Sequence, residues 1–119
     1  MPTIVSVPTQ FQKELDRLAQ KYPQVIDVTA SLIEALKSDQ RPGDKIPHIG
    51  YDVYKVRLRN PSAGRGKSGG FRVIYYVQLA DRVVLLTIYS KTQQIDISPK
   101  DIRRVLREIL PPDIEKDNE

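Results

Sequence analysis

Apolar positions along this chain follow two different periods, and the change from one to the other divides it into helical and extended parts. Thr3 to Val7, "TIVSV", is a short run closed by Pro8 and reads as a strand. From Thr9 onward Phe11, Leu15, Leu18, Ala19 and Tyr22 recur at helical spacing, leaving Lys13, Asp16, Arg17 and Gln20 for water. Thr9 with Gln12 three residues on has the form of a capping box. Pro23 interrupts, and Val25, Val28, Leu32 and Leu36 mark a second amphipathic helix. So tight a join predicts an antiparallel helical hairpin.

Ser38 to Gly50 is polar and punctuated by Pro42, Gly43, Pro47 and Gly50, which marks a loop. The period then becomes two. In "YDVYKVRLR", Tyr54, Val56 and Leu58 alternate with Lys55, Arg57 and Arg59, so one strand is expected to project all three cations from one face. "GFRVIYYVQL" reads as a further strand and "RVVLLTIYS" as another, joined by a short turn at Ala80-Asp81. The last of these is almost continuously apolar, which predicts a central strand covered on both faces at its start. Ser98-Pro99-Lys100-Asp101 starts a final helix, with Ser as cap, Pro in the first turn and an acid at the third position. Ile102, Val105, Leu106 and Ile109 form its apolar stripe, and Pro111-Pro112 stops it. The order predicts an α+β fold: an N-terminal strand and helical hairpin, a mostly antiparallel twisted sheet of about four strands, and a C-terminal helix. One domain, 1–110, is expected, followed by an acidic and mobile tail, 111–119.

Composition narrows the partner. The chain carries +4 at pH 7, yet its tail holds Asp113, Glu115, Asp117 and Glu119 against Lys116 alone, so the body is more basic than the total. No acid lies between Asp52 and Asp81, a window that contains Lys55, Arg57, Arg59, Arg65, Lys67 and Arg72. A polyanion is the partner such a window suits; a solvated basic loop is the plainer reading. The absence of cysteine excludes disulfides and thiolate metal sites. No apolar run is long enough for a membrane span, and the N-terminus has no signal-peptide pattern, so a cytoplasmic protein is expected.

Gly66-Lys67-Ser68 suggests a nucleotide cradle, but a P-loop requires glycine where Pro61 stands and a helix where a strand follows. His48 is the sole histidine, so a two-histidine ribonuclease is excluded, and its place between prolines suits a structural role. A magnesium site needs clustered carboxylates; the basic window has none, and Asp96 and Asp101 lie beyond it near the last helix cap. What remains is a set of arginine, lysine and tyrosine. Such a set suits RNA, which supplies its own 2′-hydroxyl nucleophile, because guanidinium groups bind phosphate oxygens and keep their charge. A lysine crowded by other cations can act as a base.

"VYKVRLRNPSAGRGKSGGFRVIYY" followed by "LLTIYSKTQQIDIS" closely resembles the RelE/HigB family of toxins from bacterial type II toxin–antitoxin pairs, and the order of elements fits from Thr3 to Leu110. The resemblance implies a ribosome-dependent mRNA endonuclease that uses neither a metal nor a small-molecule cofactor, held inactive by a cognate antitoxin. By position it implies that Lys55 and Arg57 are the paired base and charge stabiliser, that Arg72 holds the scissile phosphate, and that Tyr89 stacks on a base while Lys91 donates a proton. Arg59, Arg65 and Lys67 would grip the ribosomal or messenger backbone. Some members carry a further arginine after the last strand and a C-terminal tyrosine; here Thr92 and Gln93 follow Lys91, and no tyrosine follows Tyr89. The Asn60 to Gly70 loop is also longer than in the smallest members. A ParE-like gyrase inhibitor and an inactive basic RNA-binding relative are the alternative readings.

Overall fold

The computed structural model describes residues 2–60, 70–93 and 96–109. Its elements are β1 (Ile4–Ser6), α1 (Thr9–Lys21), α2 (Val25–Lys37), β2 (Asp44–Lys45), β3 (Val53–Leu58), β4 (Phe71–Leu79), β5 (Arg82–Ser90) and α3 (Pro99–Ile109). The acidic tail, together with Arg65 and Lys67, lies outside the described residues.

The five strands form one sheet in the order β1-β5-β4-β3-β2. Three pairings are antiparallel, and β1 runs parallel to β5. The fifth strand is the two-residue β2, which sits inside the expected loop and pairs with Lys55 and Tyr54. Both faces of the sheet are covered. Phe11, Leu15 and Leu18 of α1 and Val25, Leu32 and Leu36 of α2 pack on Val56, Phe71, Val73, Tyr75, Val83, Leu85 and Ile88. Ile102 and Leu106 of α3 pack on Val53, Ile74, Val84, Leu86 and Tyr89 from the other side. That double cover explains the near-continuous apolar run of β5, buried from Val83 to Ser90. The middle of the sheet is β4, with β5 next to it.

Local chemistry sets the helix ends. Thr9 is the first residue of α1 rather than its cap; Pro8 holds the cap position with extended backbone and no side-chain cap bond. Gln12 donates instead to Asp16 at 2.9 Å. At α3 the Ser98 hydroxyl accepts the Asp101 N–H at 3.1 Å, as a Ser cap should. α2 ends at Lys37 with Ser38 as its C-cap, and Asp39 just beyond takes a left-handed φ of 69°, which Asp tolerates. The Arg41 guanidinium then donates to Thr3 Oγ1 and to the carbonyl of Ala80, at 3.0 and 2.8 Å, and ties β1 to the β4–β5 turn.

One irregularity decides which side chains reach the α3 face. Ile74 pairs with Thr87, but Tyr75 pairs with Leu85, so Leu86 is an extra residue in β5. Leu86 and Tyr89, three apart, therefore both belong to the α3-side core, while Ile88 turns to the helical hairpin. Unbroken alternation from Val84 and Leu86 would send position 88 there instead.

Among the described residues no helix is long and apolar enough to cross a membrane.

Candidate functional site

Three neighbouring strands deliver the basic set to one face. Arg57 of β3 pairs with Arg72 of β4, and Arg72 pairs in turn with Tyr89 of β5, which makes one row across the sheet. Lys55, two residues before Arg57, shares its face. A cleft of about 240 Å³ opens along this edge, lined by Gly43, Asp44, Lys55, Val56, Arg57 and Arg72. Its floor is close-packed: a Cβ at Gly43 (φ +92°) would collide with the Lys55 carbonyl. Gly70, also at positive φ, enters β4 so tightly that a Cβ would sit 2.6 Å from the Leu58 carbonyl oxygen.

Arg72 is the centre of the row. Its residue is only 6% exposed, and its Nη1 donates weakly, at 3.4 Å, to the carbonyl of Phe71. Among the described residues no carboxylate lies within ion-pair distance of it. Burial, and then the charge of Arg57 beside it, lower its pKa, with Tyr89 and Asp96 acting in the opposite sense. A guanidinium still holds its charge under such pressure, so a buried cation here is receptive to an anion.

Tyr89 has 7% of its surface exposed and packs in the α3-side core. Its ring is largely enclosed in the free protein, and its hydroxyl is its polar contact. That hydroxyl donates to Asp96 Oδ1 at 3.1 Å. Burial, followed by the charge and hydrogen bond of Asp96, pushes the phenol well above its ordinary pKa. Tyr89 therefore stays protonated at neutral pH.

Asp96 is the residue that spacing did not associate with the site. Its carboxylate accepts the Lys55 ammonium at 3.3 and 3.4 Å and the Ile97 N–H at 2.8 Å, besides Tyr89. Burial pushes this carboxyl up, but the Ile97 N–H, the Lys55 ammonium and the Tyr89 hydroxyl outweigh it and hold it below the usual value. Lys55 thus faces a carboxylate as well as the arginines, unlike a lysine base crowded by cations alone. Nothing in the sequence couples positions 55 and 96; the only local signal is an acid just ahead of the Ser98 cap.

The remaining candidates separate. Arg59 falls beyond the end of β3 and is exposed, so the expected three-cation strand face carries two. Lys91 opens the turn after β5, with its backbone N–H bonded to the Gly70 carbonyl at 3.1 Å. Its ammonium makes no hydrogen bond or ion pair to a described residue. His48 supplies its carbonyl to Arg103 at 2.9 Å from a loop at positive φ, away from the row. A larger hollow, about 690 Å³, lies near that loop, lined by Lys45, Tyr51 and Tyr76 among others. It contains no cation cluster, since Lys45 is paired with Asp52 at 2.7 Å. Among the described residues no three His, Cys, Asp or Glu side chains group to hold a metal ion.

The family model described as the RelE toxin of the RelE/RelB toxin–antitoxin system matches residues 11–109. The structure of an E. coli toxin RelE mutant in the free state is similar at a TM-score of 0.57 and 18% identity. That match covers 92% of this chain and 100% of the other, and at such identity it speaks for the fold.

Proposed function

The chain belongs to the RelE toxin family, and from that premise we propose that it is a ribosome-dependent mRNA endonuclease restrained by a protein antitoxin. The observation that carries this reading is Arg72: a buried guanidinium with no carboxylate at ion-pair distance among the described residues, in a row with Arg57 and beside an open cleft. In the proposed reaction the RNA 2′-oxygen attacks the adjacent phosphorus and the P–O5′ bond breaks. The 2′ proton is taken up by a base or relay, and a proton is given to the leaving 5′-oxygen. Arg72 and Arg57 bind the non-bridging oxygens and stabilise the charge that grows on them. Lys55 stands beside them as a mobile cation, and Tyr89 holds the wall of the site through its hydroxyl. Lys91 is the proposed proton donor from the end of β5. Arg59, Arg65 and Lys67 are proposed as backbone contacts.

The experiment is brief induction in cells, with mRNA integrity and plasmid supercoiling read together, for wild type and Arg72→Ala. Among the described residues Arg72 has no hydrogen-bond partner except its neighbour's carbonyl, so the substitution breaks no ion pair there. The expected result is cleaved mRNA for wild type and a loss of about 10²- to 10⁴-fold for the variant. A folded Arg72→Ala protein that cuts at the wild-type rate overturns the assignment. Intact mRNA with lost supercoiling would transfer the protein to the gyrase-inhibitor reading.

A further inference from the structure

The cleft is lined by Asp44 as well as by Lys55, Arg57 and Arg72, and a second carboxylate, Asp96, is paired with one of those cations, Lys55. Asp96, two residues ahead of the Ser98 cap of α3, is fixed from behind by the Ile97 N–H and from the side by the Tyr89 hydroxyl. Both its oxygens face the Lys55 ammonium, at 3.3 and 3.4 Å. Lys55 also lines the cleft with Arg57 and Arg72. A carboxylate with two oxygens on one ammonium presents the same chemistry as the two non-bridging oxygens of a phosphodiester.

We propose that Asp96 is a built-in competitor for the RNA phosphate: it occupies Lys55 in the free protein and is displaced from that ammonium when a phosphodiester enters the cleft. This inference rests on the RNA-directed reading of the site. The two ends of the contact differ in stiffness. Asp96 is held by backbone and phenol, whereas Lys55 ends in a flexible four-carbon stem that can swing from carboxylate to phosphate without moving β3. Both side chains are partly solvated, with 37% of Lys55 and 58% of Asp96 exposed, so the pair is weak enough for RNA to break. Exchanging one anion for another leaves Lys55 with little net gain. Free RNA is therefore held mainly by the arginines, and productive binding depends on further contacts outside the cleft. Asp96 acts in this way as a specificity device against unassisted RNA, in the sense that a site rejects wrong partners by placing like charge in their way.

The test uses the full chain and a short single-stranded RNA that is 2′-O-methylated throughout, which cannot be cut by its own 2′-oxygen. Affinity is measured across a salt series for wild type, Asp96→Asn, Asp96→Glu, Lys55→Ala, and Asp96→Asn in the Lys55→Ala background; Asp96→Ser replaces Asn if circular dichroism shows a disturbed fold. Asp96→Asn is expected to bind about three- to tenfold tighter. Its salt dependence should steepen by about 0.7 in log–log slope, because in wild type the displaced Asp96 takes up a cation that offsets the one released from the RNA at Lys55. Asp96→Glu should stay near wild type, and most of the gain should vanish without Lys55. Equal or weaker binding by Asp96→Asn overturns the proposal, as does a gain that persists undiminished in Lys55→Ala. Because this RNA is not a substrate, a wild-type protein that fails to cleave ribosome-bound mRNA refutes the endonuclease reading separately.

Discussion

Arg57 and Arg72 stand directly opposite each other on the β3–β4 ladder, two guanidinium groups on one face with Arg72 nearly buried. Like charges in directly opposed positions destabilise a sheet, so this pair is maintained against folding stability. Arg57→Gln is therefore expected to stabilise the fold by about 0.2–1 kcal/mol. The same change should lower cleavage by about 10²-fold, the loss typical of one charge-stabilising group. Urea midpoints and a cleavage assay on the same preparation check both signs. A variant that is less stable yet fully active would refute the pairing as described.

The entry to β4 makes a second prediction. Gly70 has φ +104°, and a Cβ there would press on the Leu58 carbonyl oxygen, which is backbone and cannot swing aside. Gly70→Ala should cost about 1–3 kcal/mol. Since Arg72 lies two residues on, activity should fall further than the folded fraction does. A thermal melt indistinguishable from wild type would contradict this.

Glu14 closes part of an open sheet edge. β1 covers β5 only at positions 82–84, and beyond it the Glu14 carboxylate of α1 accepts the Thr87 hydroxyl at 2.8 Å and the Ile88 N–H at 3.2 Å. Glu14→Ala leaves a strand N–H without its acceptor and should cost about 1–3 kcal/mol. Glu14→Gln retains an acceptor oxygen and should stay close to wild type. Equal denaturation midpoints for the two variants would show that the carboxylate does not close this edge.

Two buried phenols set the alkaline limit. The Tyr75 hydroxyl donates to the Pro42 carbonyl at 2.6 Å, and burial, with Tyr54 beside it, raises its pKa far above 10.0. Tyr89 is raised by burial and by Asp96. Above pH 10 the unfolded chain releases protons that the folded one keeps. Stability is thus fully present below that pH and falls as pH rises beyond it. Denaturation midpoints should be level below about pH 10 and decline above it, with a shallower decline in Tyr75→Phe. A midpoint that does not move across this range would count against the burial of both phenols.

Much of the architecture was legible because it depends on local pattern. The 3.6-residue spacing of Phe11, Leu15 and Leu18 and of Val25, Leu32 and Leu36 marked both hairpin helices, and Ser98-Pro99 marked the start of α3. The alternation around Lys55 and Arg57 marked β3 and the face its cations take. Where local pattern was weak, the reading missed. Two-residue β2 carries no period, three-residue β1 does not reveal that it runs parallel to β5, and Pro8 took the cap position read for Thr9.

The sequence by itself determined the element order, the covered faces and the basic character of one strand face, because side-chain periodicity and helix signals act over a few residues. Tertiary structure alone decided that Tyr89 rather than Ile88 reaches the α3 side, since that depends on one extra residue in β5 opposite the Ile74–Tyr75 step. It alone also brought Asp96 to Lys55 across 41 positions. Both outcomes depend on how the strands align and where α3 docks, and no local spacing encodes that alignment.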